Sequence, residues 1–139
     1  MKFQGKAYKD GKYWLAEIPI LELMTQGHSK KELLVMVEDL FTTLSNNSEL
    51  EVNVQCDKNG NLEVGTNNSK IFVGLLLKRK RNLNNLTVEE VSKRLGSSSK
   101  NSYARYEQGK SLPSFDKLQE LLCAVGASSD FVINESKFA

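Results

Sequence analysis

The sequence predicts an α+β fold: a β-β-β-α-β-β unit in the first half and an all-α unit in the second. Three observations predict it. Alternating apolar and polar residues, punctuated by the turn pairs Asp10-Gly11 and Asn59-Gly60, are confined to the first 65 or so residues. A single capped helical stretch, opening at Ser29, interrupts those strands. Beyond the polar, aperiodic Thr66-Asn67-Asn68-Ser69 only helical spacing remains. That tetrapeptide is the expected boundary between a domain at 1–66 and a domain at 70–139.

The first hairpin follows from residues 2–9, with Phe3, Gly5 and Ala7 set against Lys2, Gln4 and Lys6, and from Tyr13 to Ile18 beyond the Asp10-Gly11 turn. Both turn residues tolerate positive φ, so the reversal is inexpensive. Pro19 ends the second strand, and a short third run covers Leu21 to Thr25 before Gly27. Ser29-Lys30-Lys31-Glu32 has serine at the N-cap and glutamate three residues on, the form of a capping box. Leu33, Val37, Leu40, Phe41 and Leu44 then recur at helical spacing, and Asn46-Asn47-Ser48 stops the helix. Leu50, Val52 and Val54 alternate with Glu51, Asn53 and Gln55 as a half-buried strand, and Asn59-Gly60 turns the chain into a last strand at Leu62 to Val64.

In the second half a helix over about Ile71 to Arg81 carries a basic end, Lys78-Arg79-Lys80-Arg81. Thr87-Val88-Glu89-Glu90 is a second capping box, and the helix it opens ends at Leu95-Gly96, where glycine supplies a left-handed cap. Ser97 to Ser99 form a turn, and about Lys100 to Gln108 form the next helix, ended by Gly109. Pro113 and Ser114 start a further helix whose core face is Leu118, Leu121, Leu122 and Val125, and Gly126 caps it. The tail from Ala127 holds Phe131, Val132 and Ile133 and is compatible with a strand or a helix.

Composition bounds the function. The longest apolar run, Ile71 to Leu77, falls far short of the ~18 residues of a membrane span. The N-terminus lacks the apolar core of a signal peptide, so a cytoplasmic protein is expected. Cys56 and Cys123 stand far apart without histidine companions, which argues against a metal site or a disulfide framework. Net charge is +2 but uneven: residues 1–69 carry −3, residues 70–110 carry +7 and residues 111–139 carry −2. A basic block confined to one segment is the electrostatic footprint of phosphate binding.

That block coincides with helix, tight turn, helix over Thr87 to Pro113, a pattern that places one helix in the DNA major groove. On the helix from Lys100, Tyr103 and Tyr106 are three apart and are read as core anchors. The remaining positions carry the side chains that read DNA. Arginine forks to guanine and asparagine pairs with adenine, while lysine and serine grip phosphate or base edges. Asn101, Ser102 and Arg105 are the expected base readers, and Lys100 and Lys110 the phosphate contacts. Thr87, at a helix N-terminus, is either a further phosphate contact or only a cap.

The stretch LLLKRKRNLNNLTVEEVSKRLGSSSKNSYARYEQGKSLPSFDKLQELLCAVG resembles the Cro and lambda-repressor type of helix-turn-helix domain, through Leu95-Gly96, Glu107-x-Gly109 and Pro113. It departs at Ser92, where that family carries alanine, and in a stretch between Gly96 and Glu107 that is one residue longer. The preceding AEIPILELMTQGHSKKELLVMVEDLFTTL resembles the N-terminal domain of HicB antitoxins, a partial ribonuclease-H-like fold, through Ile18-Pro19, Thr25-Gln26-Gly27 and the capped helix with Glu32. Together the two resemblances imply an antitoxin of a type II toxin-antitoxin system. Such a protein neutralises a HicA-like toxin that cleaves messenger RNA, and represses its own operon on double-stranded operator DNA as a homodimer or higher oligomer. The alternative is a stand-alone or phage-type repressor whose first domain senses a ligand or mediates assembly. Tyr13 and Trp14 on the second strand are core residues or, if that strand is an edge, a toxin-docking surface by strand addition. No catalysis, cofactor or metal is expected: Asp10, Glu17, Glu38 and Asp39 do not converge by spacing on a two-metal site. His28, the single histidine, precedes a helix cap and has no matched nucleophile.

Overall fold

The computed structural model describes residues 1–96, 100–127 and 130–138, with Lys100 described in its backbone alone. The chain forms two compact units. One comprises Met1–Asn68 together with the chain from Glu135 onward, and the other comprises Ser69–Asn134. The helical unit is thus inserted between the body of the first unit and its final segment.

The first unit is a five-stranded antiparallel sheet of β1 (Lys2–Asp10), β2 (Tyr13–Ile18), β3 (Leu23–Gly27), β4 (Val52–Cys56) and β5 (Asn61–Thr66), with α1 (Lys30–Ser45) between β3 and β4. The spatial order is β3-β2-β1-β5-β4, so β1 lies at the centre. The register pairs Ala7 with Ala16 and Phe3 with Val64. Strand alternation then gathers Phe3, Ala7, Ala16, Ile18, Leu62 and Val64 on one face, all buried with Leu33, Val37 and Phe41 of α1. Phe3 and Phe41 stack with their centroids 6.1 Å apart. Glycine is needed where the helix approaches the sheet: a Cβ on Gly27 would lie 2.7 Å from the Leu33 nitrogen. Leu21, expected to begin the third strand, instead closes a 3-10 turn over Pro19–Leu21, and Glu22 leaves that turn in the left-handed region at φ 49°. Proline fixes the first residue of that turn and delays the strand to Leu23.

Ser29 caps α1 by accepting from the Glu32 amide at 3.1 Å, while the Glu32 carboxylate reaches one residue further back, to the His28 amide. The His28 ring lies 5.2 Å from Tyr13.

The second unit consists of α2 (Ser69–Leu83), α3 (Val88–Arg94), α4 (Lys100–Glu107) and α5 (Phe115–Ala124). Residues Phe72 to Leu77 of α2 are buried on every side, and its polar residues lie before and after that stretch, most of them in the basic end. Val91, Tyr103, Leu118, Leu121, Leu122 and Val125 complete the core. Gly109 and Gly126 close α4 and α5 at φ 71° and 85°, each with the next amide bonded back five residues, as in a Schellman motif. The described tail, 130–138, has no helix or strand.

Candidate nucleic-acid interface

What α4 can present depends on how it is held. A Cβ on Gly74 of α2 would lie 2.5 Å from the Glu107 carbonyl oxygen and 2.9 Å from that of Tyr106, so only glycine admits the observed approach of the two helices. Seven residues on, Arg81 donates from Nε to Glu107 Oε2 at 2.9 Å and from Nη2 to Oε1 at 2.6 Å. Its third nitrogen donates to the Leu86 carbonyl at 2.8 Å, which secures the loop leading into α3. A two-pronged arginine–carboxylate pair fixes direction as well as distance. The bond to Glu107 raises the Arg81 pKa against the opposing effect of burial. The Tyr103 ring is 1% exposed and anchors α4 from beneath. Burial, and then the Glu107 carboxylate, push its hydroxyl far above the ordinary phenol range.

With Tyr103 inward, the outward row of α4 is Asn101, Ser102 and Arg105, all exposed. These three expected readers share one solvent-facing side. Lys110 is exposed just past the Gly109 cap. Lys100 opens α4, but its side chain and the Ser97 to Ser99 turn lie outside the described residues. Tyr106, expected beside Tyr103 in the core, is only half-buried. Gln108 continues the exposed row and was not singled out from the sequence. Its amide bonds the Ala104 carbonyl at 2.9 Å, which keeps it on the helical path. The signal was the seven-residue interval from Asn101, which returns a side chain to the same helical face.

Thr87 makes both halves of its capping box: its hydroxyl accepts from the Glu90 amide at 3.1 Å and its amide donates to Glu90 at 2.8 Å. Capping is therefore its observed role. Glu89 and Glu90 occupy the same first turn, where negative charge complements the helix dipole and opposes a phosphate. Ser92 is buried, and its hydroxyl has no hydrogen-bond partner among the described residues.

The sheet corrects one expectation. β2 is flanked by β1 and β3, so it is not an edge and its backbone cannot accept an added strand at Tyr13 and Trp14. Tyr13 is exposed beside His28, whereas Trp14 is half-buried with the Lys30 ammonium 6.0 Å above its ring. The edges are β3 and β4. Of the acidic residues considered for metal chemistry, Glu17 accepts from the Tyr8 hydroxyl at 2.7 Å. Among the described residues no group of three His, Cys, Asp or Glu is placed to hold a metal ion. No described helix is long and apolar enough to cross a membrane.

An inserted four-helix unit with an exposed Asn-Ser-Arg row on a locked helix is the arrangement of a DNA-binding domain. A helix-turn-helix family model of the Cro and C1 type matches residues 77–132. The match covers the basic end of α2, the capping box and the whole of α4 and α5, and supports a DNA-binding transcriptional regulator. No curated protein matches the chain significantly.

Proposed function

We propose that this chain is a HicB-type antitoxin and autorepressor without catalysis of its own. The first unit binds and covers a small HicA-like, RNA-cleaving toxin, and the helical unit reads the operator as a homodimer or higher oligomer. The observation that carries the reading is the order of two units: a five-stranded sheet backed by one helix, with the HicB-like sequence across β2 to α1, precedes a matched helix-turn-helix. The −3 charge of residues 1–69 suits a basic, RNA-binding partner. On this reading the sheet unit is a partial ribonuclease-H-like fold.

On DNA, Asn101, Ser102 and Arg105 contact bases, and Lys100 and Lys110 contact phosphates. Thr87 retains its hydroxyl proton as a donor to phosphate while its oxygen caps α3. Two α4 helices in a dimer address half-sites about 34 Å apart, one turn of the duplex. Toxin contacts at Tyr13 and Trp14 would be made by side chains, since β2 is interior.

The helix-turn-helix match accommodates a stand-alone repressor with a sensing or assembly domain equally well. Co-purification of the tagged full chain from its native cells separates the two. A stoichiometric small basic protein that loses RNase activity in the complex is the expected result. Specific DNA without such a protein would replace the antitoxin reading by the repressor.

A further inference from the structure

The face of the sheet opposite α1 carries a buried carboxylate. Glu63 sits on β5 across from Gln4 of β1 and Gln55 of β4, among polar neighbours, and is 2% exposed. Two of its three partners come from the far end of the chain. Ser136 donates its hydroxyl to Oε1, the Lys137 amide donates to Oε2 at 2.8 Å, and the Lys2 ammonium lies 3.2 Å from Oε1. Around this centre the Lys137 ammonium donates to Asn61 Oδ1 at 3.0 Å. Lys2 donates to the Ser136 hydroxyl oxygen at 3.0 Å and lies 5.8 Å from the centroid of the Phe138 ring. Within the segment, the Ser136 hydroxyl accepts from the Phe138 amide at 3.1 Å, closing a small turn that aims both donors at Glu63.

Burial by itself would raise the pKa of this carboxyl. The Ser136, Lys137 and Lys2 donors outweigh it and hold Glu63 below its ordinary range. The carboxylate is a specific seat for a hydroxyl and an amide in succession, Ser136 and Lys137, with the Lys2 ammonium of β1 beside them. The seat is also small. It engages Ser136 to Phe138, and Phe131 to Glu135 before them are exposed and irregular. A contact of this size owes its occupancy to the tether, which raises the effective concentration of the segment, and a tethered contact is easily opened.

We propose that Glu63 forms a peptide-docking site on the open face of the sheet, occupied by the chain's own Ser136-Lys137-Phe138. The occupied site acts as a latch on the helical unit. Closed, it anchors that unit at both ends, through Asn68–Ser69 and through residue 135 onward. Open, it leaves a single covalent connection and frees the Glu63 face. This inference does not depend on which partner the first unit takes.

The test is hydrogen exchange and ¹⁵N relaxation on the full chain, comparing wild type with Glu63→Gln and Ser136→Ala. Ser136→Ala lies in the irregular tail and leaves the sheet intact. In wild type the Lys137 amide should be protected and residues 136–138 as rigid as β5. Each substitution should speed exchange at Lys137 by about tenfold, the equilibrium factor associated with one charge-assisted hydrogen bond. It should also shorten the tumbling time of the helical unit relative to the sheet unit. A wild-type tail as mobile as a free peptide would overturn the proposal. So would a tail that stays rigid in both variants.

Discussion

The two units each bury a glutamate, and they do so in opposite ways. Glu107 belongs to the interior of the helical unit, where Arg81, 26 residues earlier, meets it in a two-pronged pair with side chains 8% and 13% exposed. Glu63 belongs to the sheet face opposite α1, and two of its three donors come from a segment that returns 73 residues later. Losing the first partnership strands a charge inside a core; losing the second returns a carboxylate to water. The same residue type is therefore structural in one place and releasable in the other, and the difference lies in what remains around it after the partner leaves.

Substitution at Arg81 probes this contrast most strongly. Arg81→Ala should destabilise the helical unit by about 3 kcal/mol, because Glu107 keeps its burial and loses its counter-charge. The paired change Arg81→Met with Glu107→Leu should recover most of that loss in denaturant melts. If the single and double variants are equally unstable, packing rather than charge explains the pair.

Next in size is the exposed row that this pair positions. Arg105→Ala should weaken specific operator binding by about 1–3 kcal/mol and leave the thermal midpoint unchanged. Unaltered affinity would remove Arg105 from the reading set. Thr87→Ala should cost about 1 kcal/mol of stability through the lost cap. An additional drop in DNA affinity, measured well below the melting temperature, would show that the hydroxyl also contacts phosphate.

The sheet unit should respond to pH through Glu63. The Glu63 pKa is depressed in the folded chain, so its contribution is full at neutral pH and is lost as pH falls through the acid range. Protection at Lys137 should fade on acidification before the strands exchange; strand and tail amides losing protection together would erase the distinction. Ser92→Ala should have the smallest effect, within about 1 kcal/mol and in the stabilising direction, because it removes a buried hydroxyl with no partner among the described residues. A clear loss of stability in melts would show that the hydroxyl is satisfied in solution.

Much of the local architecture was legible in the residues. Asp10-Gly11 turns β1 into β2, Ser29 and Thr87 cap their helices, and Gly109 and Gly126 end theirs. Each signal acts within four or five residues, which is the range of turn and cap chemistry. The outward row Asn101, Ser102 and Arg105 was legible for the same reason: once Tyr103 points inward, helical spacing turns its neighbours outward. The stop at Pro19 is legible, but Leu21 is not, because an apolar residue just past proline suits a strand and a 3-10 turn alike.

From the residues alone came the turns and helix caps, the α+β division and the basic charge of the segment that holds α4. Tertiary structure alone decided that β1 is central and β2 interior, that Gly74 is where α2 and α4 meet, that Arg81 belongs to Glu107, and that the tail returns to Glu63. The last three are contacts across 26 to 74 residues. No spacing rule encodes them, because a side chain's periodicity records which face it occupies and not what that face will meet.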